Sequence, residues 1–313
     1  MSKFLVFSDG HAQGINSKNR LGNYFADWLI KFDELLSIAK QNKCDAILDC
    51  GDLFESDKPS YSIIDQIADR VEKNGIPIYS LFGNHAMSYG NIKNSENTGL
   101  AHLQKRSKYF NLLTELGNNN FIIKGIDYSF EVEEQLKKQE IILKSQKKEN
   151  DNTIEWKIAL VHAMILPNKF FENTSYVQCK DIKTNADLII CGHYHQSFEK
   201  KIGNTTFLNV GCFGRLAINE AKLEPSVLLL DTEKRSYEII KLKSAKKGKE
   251  IFDLSKYEEL KGQEKSIQEF LDSLKSVDLQ SVDLSQQIVK IGNENKVEQK
   301  VIDYLLDKIK CQK

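Results

Sequence analysis

The sequence predicts an α/β fold whose first half is built from parallel βαβ units, and three observations carry that prediction. Apolar runs of strand length alternate with amphipathic helical segments over the first eighty or so residues, the pattern expected of parallel strands joined by crossover helices. Each of those early runs closes on a cluster of polar side chains, "SDGH", "CGDLFE" and "FGNHA". From about residue 121 the chain becomes strand-rich, and only its last seventy or so residues return to helical spacing.

Taken in order, "FLVFSD" reads as a buried strand, "YFADWLIKFDELLSIAKQN" as an amphipathic helix and "DAILDCGD" as a second strand. "PSYSIIDQIADRVEKNG" is a helix started by Pro59 and Ser60 and stopped by Gly75, and "IPIYSLFGNH" is a third strand. "FIIKGIDY", "WKIALVHAMI", "ADLIICGHYH", "TTFLNVG", "SVLLLDTE" and "SYEIIKLK" follow as strands. The charged segment 131–152 interrupts them and reads as a solvated surface helix leading into a loop. The polar stretch "KSAKKGKE" places a boundary near 243, giving a domain at 1–243 and a helical tail at 244–313. In the tail, Ile267, Phe270, Leu271 and Leu274 form one apolar stripe, and Val301, Ile302, Leu305, Leu306 and Ile309 form another.

Composition excludes several classes. Lys plus Arg and Asp plus Glu both number 44 in 313 residues, so there is no global basic field and any surface for nucleic acid must be local. The start, "MSKFLVFSDG", lacks the features of a signal peptide, and no apolar run has the length of a bilayer span. Six dispersed cysteines with no C-x-x-C fit reduced, buried thiols, so the expected location is cytoplasmic, without a membrane.

The histidines decide the chemistry. Asp9 with His11, and His193 with His195, are i, i+2 pairs at strand ends, which puts both side chains of a pair on one side of an extended chain. Asp52, Asn84, His85 and His162 also fall at strand C-termini, where ligands of open α/β sheets bind. Five of the six histidines lie in these clusters, and the sixth, His102, sits on an expected helix as a surface or packing residue. Scattered core histidines would not all collect at strand ends. Two carboxylates, one amide and four imidazoles exceed the needs of one ion but suit two ions sharing a carboxylate. Such a pair, roughly 3.5–4 Å apart, clamps the attacking and leaving oxygens of an in-line phosphoryl displacement. Imidazole and oxygen donors suit Mn, Fe or Zn.

The ordered set "SDGH…GDLF…GNH…H…GHYH" resembles the calcineurin-like metallophosphoesterase superfamily over roughly residues 1–243. The resemblance implies a four-layer αββα sandwich of two mixed sheets, here with a small C-terminal helical appendage. It implies that Asp9, His11 and His195 hold one ion, that Asn84, His162 and His193 hold the other, and that Asp52 bridges them. His85 would be the uncoordinated histidine that protonates or steadies the leaving oxygen, after attack by a hydroxide shared between the ions. The family usually follows that histidine with an acidic residue that orients the ring, whereas this chain has Ala86.

Two stretches resemble DNA-repair nucleases of the SbcD type. One is "GDLFESDKPS". The other is "NVGCFGRLAINEAKLEPSVLLLD", where Gly211, Arg215 and Glu220 fall on the pattern and Cys212 replaces its serine. On that resemblance the expected activity is a manganese-dependent DNA exo- or endonuclease, with Arg215 either a contact for substrate phosphate or a surface or packing arginine. Lys18, Arg20, Lys105, Arg106 and Lys108 are local basic groups able to follow a nucleic-acid backbone. The same relatives form homodimers and recruit a coiled-coil ATPase of the SbcC type; 264–276 and 298–310 would either be docking segments for it or fold back onto the first domain, the earlier one in particular. The alternatives are a phosphatase or phosphodiesterase acting on a phosphoprotein or nucleotide, and a non-catalytic metal-bound scaffold that recruits an ATPase, to which Ala86 would point.

Overall fold

The computed structural model describes residues 2–87, 92–144, 155–169 and 175–255, and parts of the tail including the helix 299–310. Two six-stranded sheets are stacked in the first unit. One runs β14 (Ser236–Lys241), β13 (Ser226–Asp231), β1 (Lys3–Phe7), β2 (Ala46–Asp49), β3 (Ile78–Ser80) and β4 (Phe110–Leu112). The other runs β11 (Phe198–Ile202), β12 (Thr205–Asn209), β10 (Leu188–Gly192), β7 (Trp156–His162), β6 (Phe121–Ile126) and β5 (Glu115–Gly117). Strands β1 to β4 are parallel, as are β12, β10, β7 and β6, while the remaining strands pair antiparallel, so both sheets are mixed.

Side-chain alternation assigns each strand to two cores. Phe4, Val6 and Leu48 meet Ile123, Ile158, Leu160 and Ile190 between the sheets. Leu5, Phe7 and Ile47 face α1 (Tyr24–Gln41), α2 (Tyr61–Asn74) and α3 (Gly99–Arg106). On the far side, Ala159, Val161 and Ile189 are covered by Val132 and Leu136 of α4 (Val132–Lys138) and by Ile165 and Val177. The layers are therefore helix, sheet, sheet, helix. The central strands are buried on both faces, which is why they read as continuous apolar runs.

Three differences from the sequence reading have physical causes. The segment 131–144 is not simply solvated, and 145–152 lies outside the described residues: α4 ends at Lys138, Val132, Leu136, Ile141 and Leu143 are buried, and buried Glu133 accepts the Met164 N–H at 3.0 Å. The short strands β4, β5 and β11 carry no apolar run of their own and are held by their neighbours' ladders. The first compact unit extends to Phe252, beyond the joint expected at 243. There the Glu34 carboxylate accepts the N–H groups of Lys243 and Ser244, and Ile251 and Phe252 are buried. Of the two expected tail helices, Gln299–Lys310 is present, and 264–276 lies outside the described residues. Among the described residues no helix is long and apolar enough to cross a membrane.

Lys31 on α1 is 6% exposed, donates to the Phe213 carbonyl and lies 4.7 Å from the centre of the Phe213 ring. Burial, helped by the charge of Arg215, pulls its pKa down to about 7 from 10.5. Between those values the unfolded chain holds a proton that the folded chain does not, so this group makes stability rise with pH across that window, and the gain is lost as pH falls through about 7. In Lys31→Met that contribution disappears. Chemical denaturation at a series of pH values will give a wild-type-minus-variant stability difference that climbs from about pH 7 upward; a flat difference would refute the assignment.

Candidate metal centre

The sequence places each site residue at the end of a strand or just past it, and at four of them the backbone is forced into unusual conformations. Asp9, His11, Asp52 and His193 all have positive φ, at 54°, 49°, 56° and 81°. Such strain in side-chain-bearing residues persists only where the surroundings hold it, and it concentrates at functional sites. Here cross-links between loops do the holding. Asp9 N–H donates to Gly51 O at 3.1 Å, His11 N–H to Asp52 O at 2.8 Å, and Gly214 N–H to Asp9 O at 2.9 Å. Gly51 sits at φ 106°, and a Cβ there would lie 2.4 Å from His162 Nδ1, so only glycine lets that ring approach.

All seven predicted donors and His85 are gathered at one end of the two sheets. Asp9, His11 and His195 present donor atoms within 4.8 Å of one another, as do Asp52, His162 and His193. Asn84 Oδ1 joins the second group, 3.1 Å from His162 Nε2 and 2.7 Å from His193 Nδ1. His85 stands beside both, its N–H on Asp52 Oδ1 at 2.9 Å and its ring 4.9 Å from that of His11.

Tautomer logic tests whether cations fit. His162 Nδ1 faces the Cys50 carbonyl at 2.7 Å, and a carbonyl only accepts, so Nδ1 carries the proton. In the neutral ring the Nε2 lone pair then points at two further acceptors, Asp52 Oδ2 and Asn84 Oδ1, each 3.1 Å away, so a cation or a second proton has to stand there. In the first group, His11 Nδ1 is 2.7 Å from the Glu55 carboxylate and His195 Nδ1 is hydrogen-bonded to the Glu220 carboxylate. The two Nε2 atoms therefore face each other, lone pair to lone pair, at 3.1 Å, with Asp9 Oδ1 at 3.9 and 3.8 Å. Acceptors crowd together in both places, and a cation relieves each. The donor set of imidazole, carboxylate and amide oxygen suits borderline divalent ions.

The electrostatics agree. Without an ion, a proton fills the gap at His162 Nε2: burial works against the charged ring, but the Asp52 carboxylate outweighs it and lifts the pKa to about 9, so a bound cation would take the place of that proton. For Asp52 the order is the same: burial opposes ionisation, and the positive neighbour His162 nevertheless holds the carboxyl well below its usual range. Burial, then the nearby His162, takes His193 down to about 4, so that ring is neutral and available as a donor at neutral pH.

Two steadying carboxylates complete the centre. Glu220, on the stretch that follows the last motif, is 8% exposed and also accepts the N–H groups of Leu216 and Ala217, at 2.6 and 2.9 Å. Glu55 was not singled out in the sequence, although it is the last residue of "GDLFE". Its main-chain oxygen accepts from His85 Nδ1 at 2.9 Å and its carboxylate lies 3.5 Å from the same atom. The orienter missing at Ala86 is thus supplied from the second motif, and Ala86 itself is buried. The signal available in the sequence was an acidic residue three positions after Asp52.

The basic groups are placed differently. Arg215 is 4% exposed, and its guanidinium donates to the carbonyls of Leu223 and Lys246, bracing the C-terminal stretch rather than facing the cleft. Arg20 is equally committed, to Asp27 at 3.0 Å and to the Arg215 carbonyl. Arg106 pairs with Asp65 and Asp69 on the surface. His102 packs edge-on against Tyr61.

Fold and site together define a class: layered α/β proteins with histidine–carboxylate clusters at the strand ends that could hold divalent ions. The family model for calcineurin-like phosphoesterases matches residues 2–197, and the chain belongs to that family. The family uses divalent metals, and the clusters here could hold them. Similar solved structures include an archaeal phosphodiesterase (16% identity, 77% of this chain and 99% of that chain, TM-score 0.41). The phosphoesterase YfcE from E. coli aligns at 12% identity over 77% and 99% of the chains, with a TM-score of 0.39. A putative 5'-nucleotidase from Staphylococcus aureus aligns at 15% identity over 77% and 54%, with a TM-score of 0.42. A comparison with curated proteins gave no match.

Proposed function

We propose that this protein is a two-metal phosphodiesterase that cuts DNA, a nuclease of the SbcD type. The observation that carries the phosphodiesterase reading is the pair of acceptor-crowded positions, His11 against His195 and His162 against Asp52 and Asn84. In this reading Asp9, His11 and His195 hold one ion, Asn84, His162 and His193 the other, and Asp52 both, with manganese the preferred metal. When bound, the ions neutralise the phosphoryl oxygens and lower the pKa of a water for in-line attack. The chain's own part is to fix the donors in strained loops, to keep His193 neutral, and to hold His85 where a leaving oxygen can take its proton. Glu55 and Glu220 set the tautomers of His11 and His195 and raise their basicity as donors.

The choice of DNA rests on the "GDLFESDKPS" stretch and on the segment 209–231, both resembling the SbcD type. A homodimer and a coiled-coil ATPase docking on the tail belong to the same proposal. The test is a panel in manganese: DNA duplexes and hairpins with defined ends, bis-p-nitrophenyl phosphate and p-nitrophenyl phosphate. Release of nucleotides from DNA supports the proposal. Turnover of the monoester alone moves the protein to a phosphatase, and a metal-replete but silent protein that captures an ATPase makes it a scaffold.

The steadying role of Glu220 has its own expected result. Glu220→Gln will keep the fold and weaken metal affinity by about 10–100-fold, read by competition with a metal-sensitive dye. Unchanged affinity would remove Glu220 from the centre.

A further inference from the structure

The loop after β6 carries an aromatic pair toward the metal centre. Tyr128 lies with its ring 5.8 Å from that of His193, tilted 34°, and 6.3 Å from that of His162. Phe130 meets Tyr128 edge-on at 6.4 Å and is 70% exposed, the only phenylalanine among the exposed large hydrophobic side chains of the described residues. Nor is the exposure that of a loose loop. Asp127 Oδ1 accepts the Phe82 N–H at 2.8 Å, the Phe82 carbonyl accepts the Tyr128 N–H at 2.9 Å, and the Ser129 carbonyl accepts the Val132 N–H at 3.0 Å. The loop is therefore pinned on one side to the turn bearing Asn84 and His85, and on the other to the start of α4.

An apolar ring held rigidly in water beside polar donors is free to offer its face to an incoming flat group. The neighbouring donors are all polar, so such a group would come with the substrate. A phosphodiester held at the metal donors would pass within reach of Tyr128, whose ring packs against those of His162 and His193, and of Phe130 beside it. Every nucleobase offers a π-face for such a ring, independent of its hydrogen-bonding edge.

We propose that Tyr128 and Phe130 form a stacking subsite for the nucleobase next to the scissile phosphate, which makes the preferred substrate an unpaired nucleotide at a strand end or in a single strand. This rests on the phosphodiesterase reading of the centre and adds to it a source of selection for nucleotide-bearing esters. A base inside a duplex is stacked on its neighbours and cannot occupy the site without being drawn out.

The test uses the full chain loaded with manganese and three substrates: a thymidine dinucleotide and the two analogues in which one or the other base is replaced by hydrogen. In the wild type, loss of the stacked base will lower kcat/KM about tenfold, within the range measured for base–aromatic stacking. Phe130→Ala will act on the intact dinucleotide by about the same factor, mainly through KM, and will leave the analogue lacking the stacked base unchanged. Phe130→Trp will restore the preference, and metal content will be equal in all three proteins. An equal loss on every substrate, or none, overturns the subsite while leaving the phosphodiesterase reading intact. Should the wild type cleave no diester, that reading fails first. Calorimetric titration with thymidine monophosphate then decides the subsite: about tenfold weaker binding in Phe130→Ala supports it, and equal binding ends it.

Discussion

Asp52→Ala is expected to leave the protein with at most one bound divalent ion in place of two, and to lower phosphodiester hydrolysis by more than about 10³-fold, since several kcal/mol of transition-state charge stabilisation rest on the ion pair. The reasons are local. Asp52 is 1% exposed, its Oδ2 faces His162 Nε2 at 3.1 Å, and its Oδ1 accepts the His85 N–H at 2.9 Å. No other carboxylate among the described residues belongs to clusters with both His11 and His162. The measurement is elemental analysis of the purified variant beside its rate on bis-p-nitrophenyl phosphate, with circular dichroism as the check on folding. Two ions retained with activity within tenfold of wild type would contradict the shared-carboxylate arrangement.

His85→Ala separates proton donation from metal holding. On the proposed assignment it should keep both ions: His85 shares a cluster with His11 and Asp52 but is not among the proposed ligands, and its hydrogen bond to Asp52 is made by the main chain, which the substitution preserves. The loss in kcat should reach 10²–10⁴-fold on DNA, the usual contribution of a positioned acid. On esters that expel p-nitrophenolate the loss should be much smaller, since that leaving group departs without a proton. An equal loss on both kinds of substrate would assign His85 to binding instead. Ala86 no longer argues for a catalytically silent protein, because the His85 ring is steadied by Glu55.

What could be read from the sequence follows from where physical information is local. The central strands β1, β2 and β3 are buried on both faces, so their own residues announce them, and the polar clusters that end them announce the cleft. Strands β5 and β11 are edge strands with exposed, polar positions, and their existence depends on partners elsewhere in the chain. The same divide runs through the site. The i, i+2 pairs were legible because both members sit in one short stretch, but the carboxylates that steady the rings are 44 residues from His11 and 25 from His195. The spacing left Arg20 and Arg215 open for a related reason: an arginine beside a motif is as able to brace carbonyls behind the loop as to meet a phosphate in front of it. The second layer of a site is set by packing, and packing is not written in spacing.

The donors around the proposed ions are split by origin. Asp9, His11, Asp52 and Asn84 hang from the sheet that contains β1, β2 and β3, whereas His162, His193 and His195 hang from the sheet that contains β7 and β10. Neither sheet alone carries a complete coordination shell, so an ion bound here acts as a rivet through both. Its affinity becomes a gauge of how tightly the two halves of the sandwich are pressed together, and a chelator should loosen the seam between them before it disturbs either sheet.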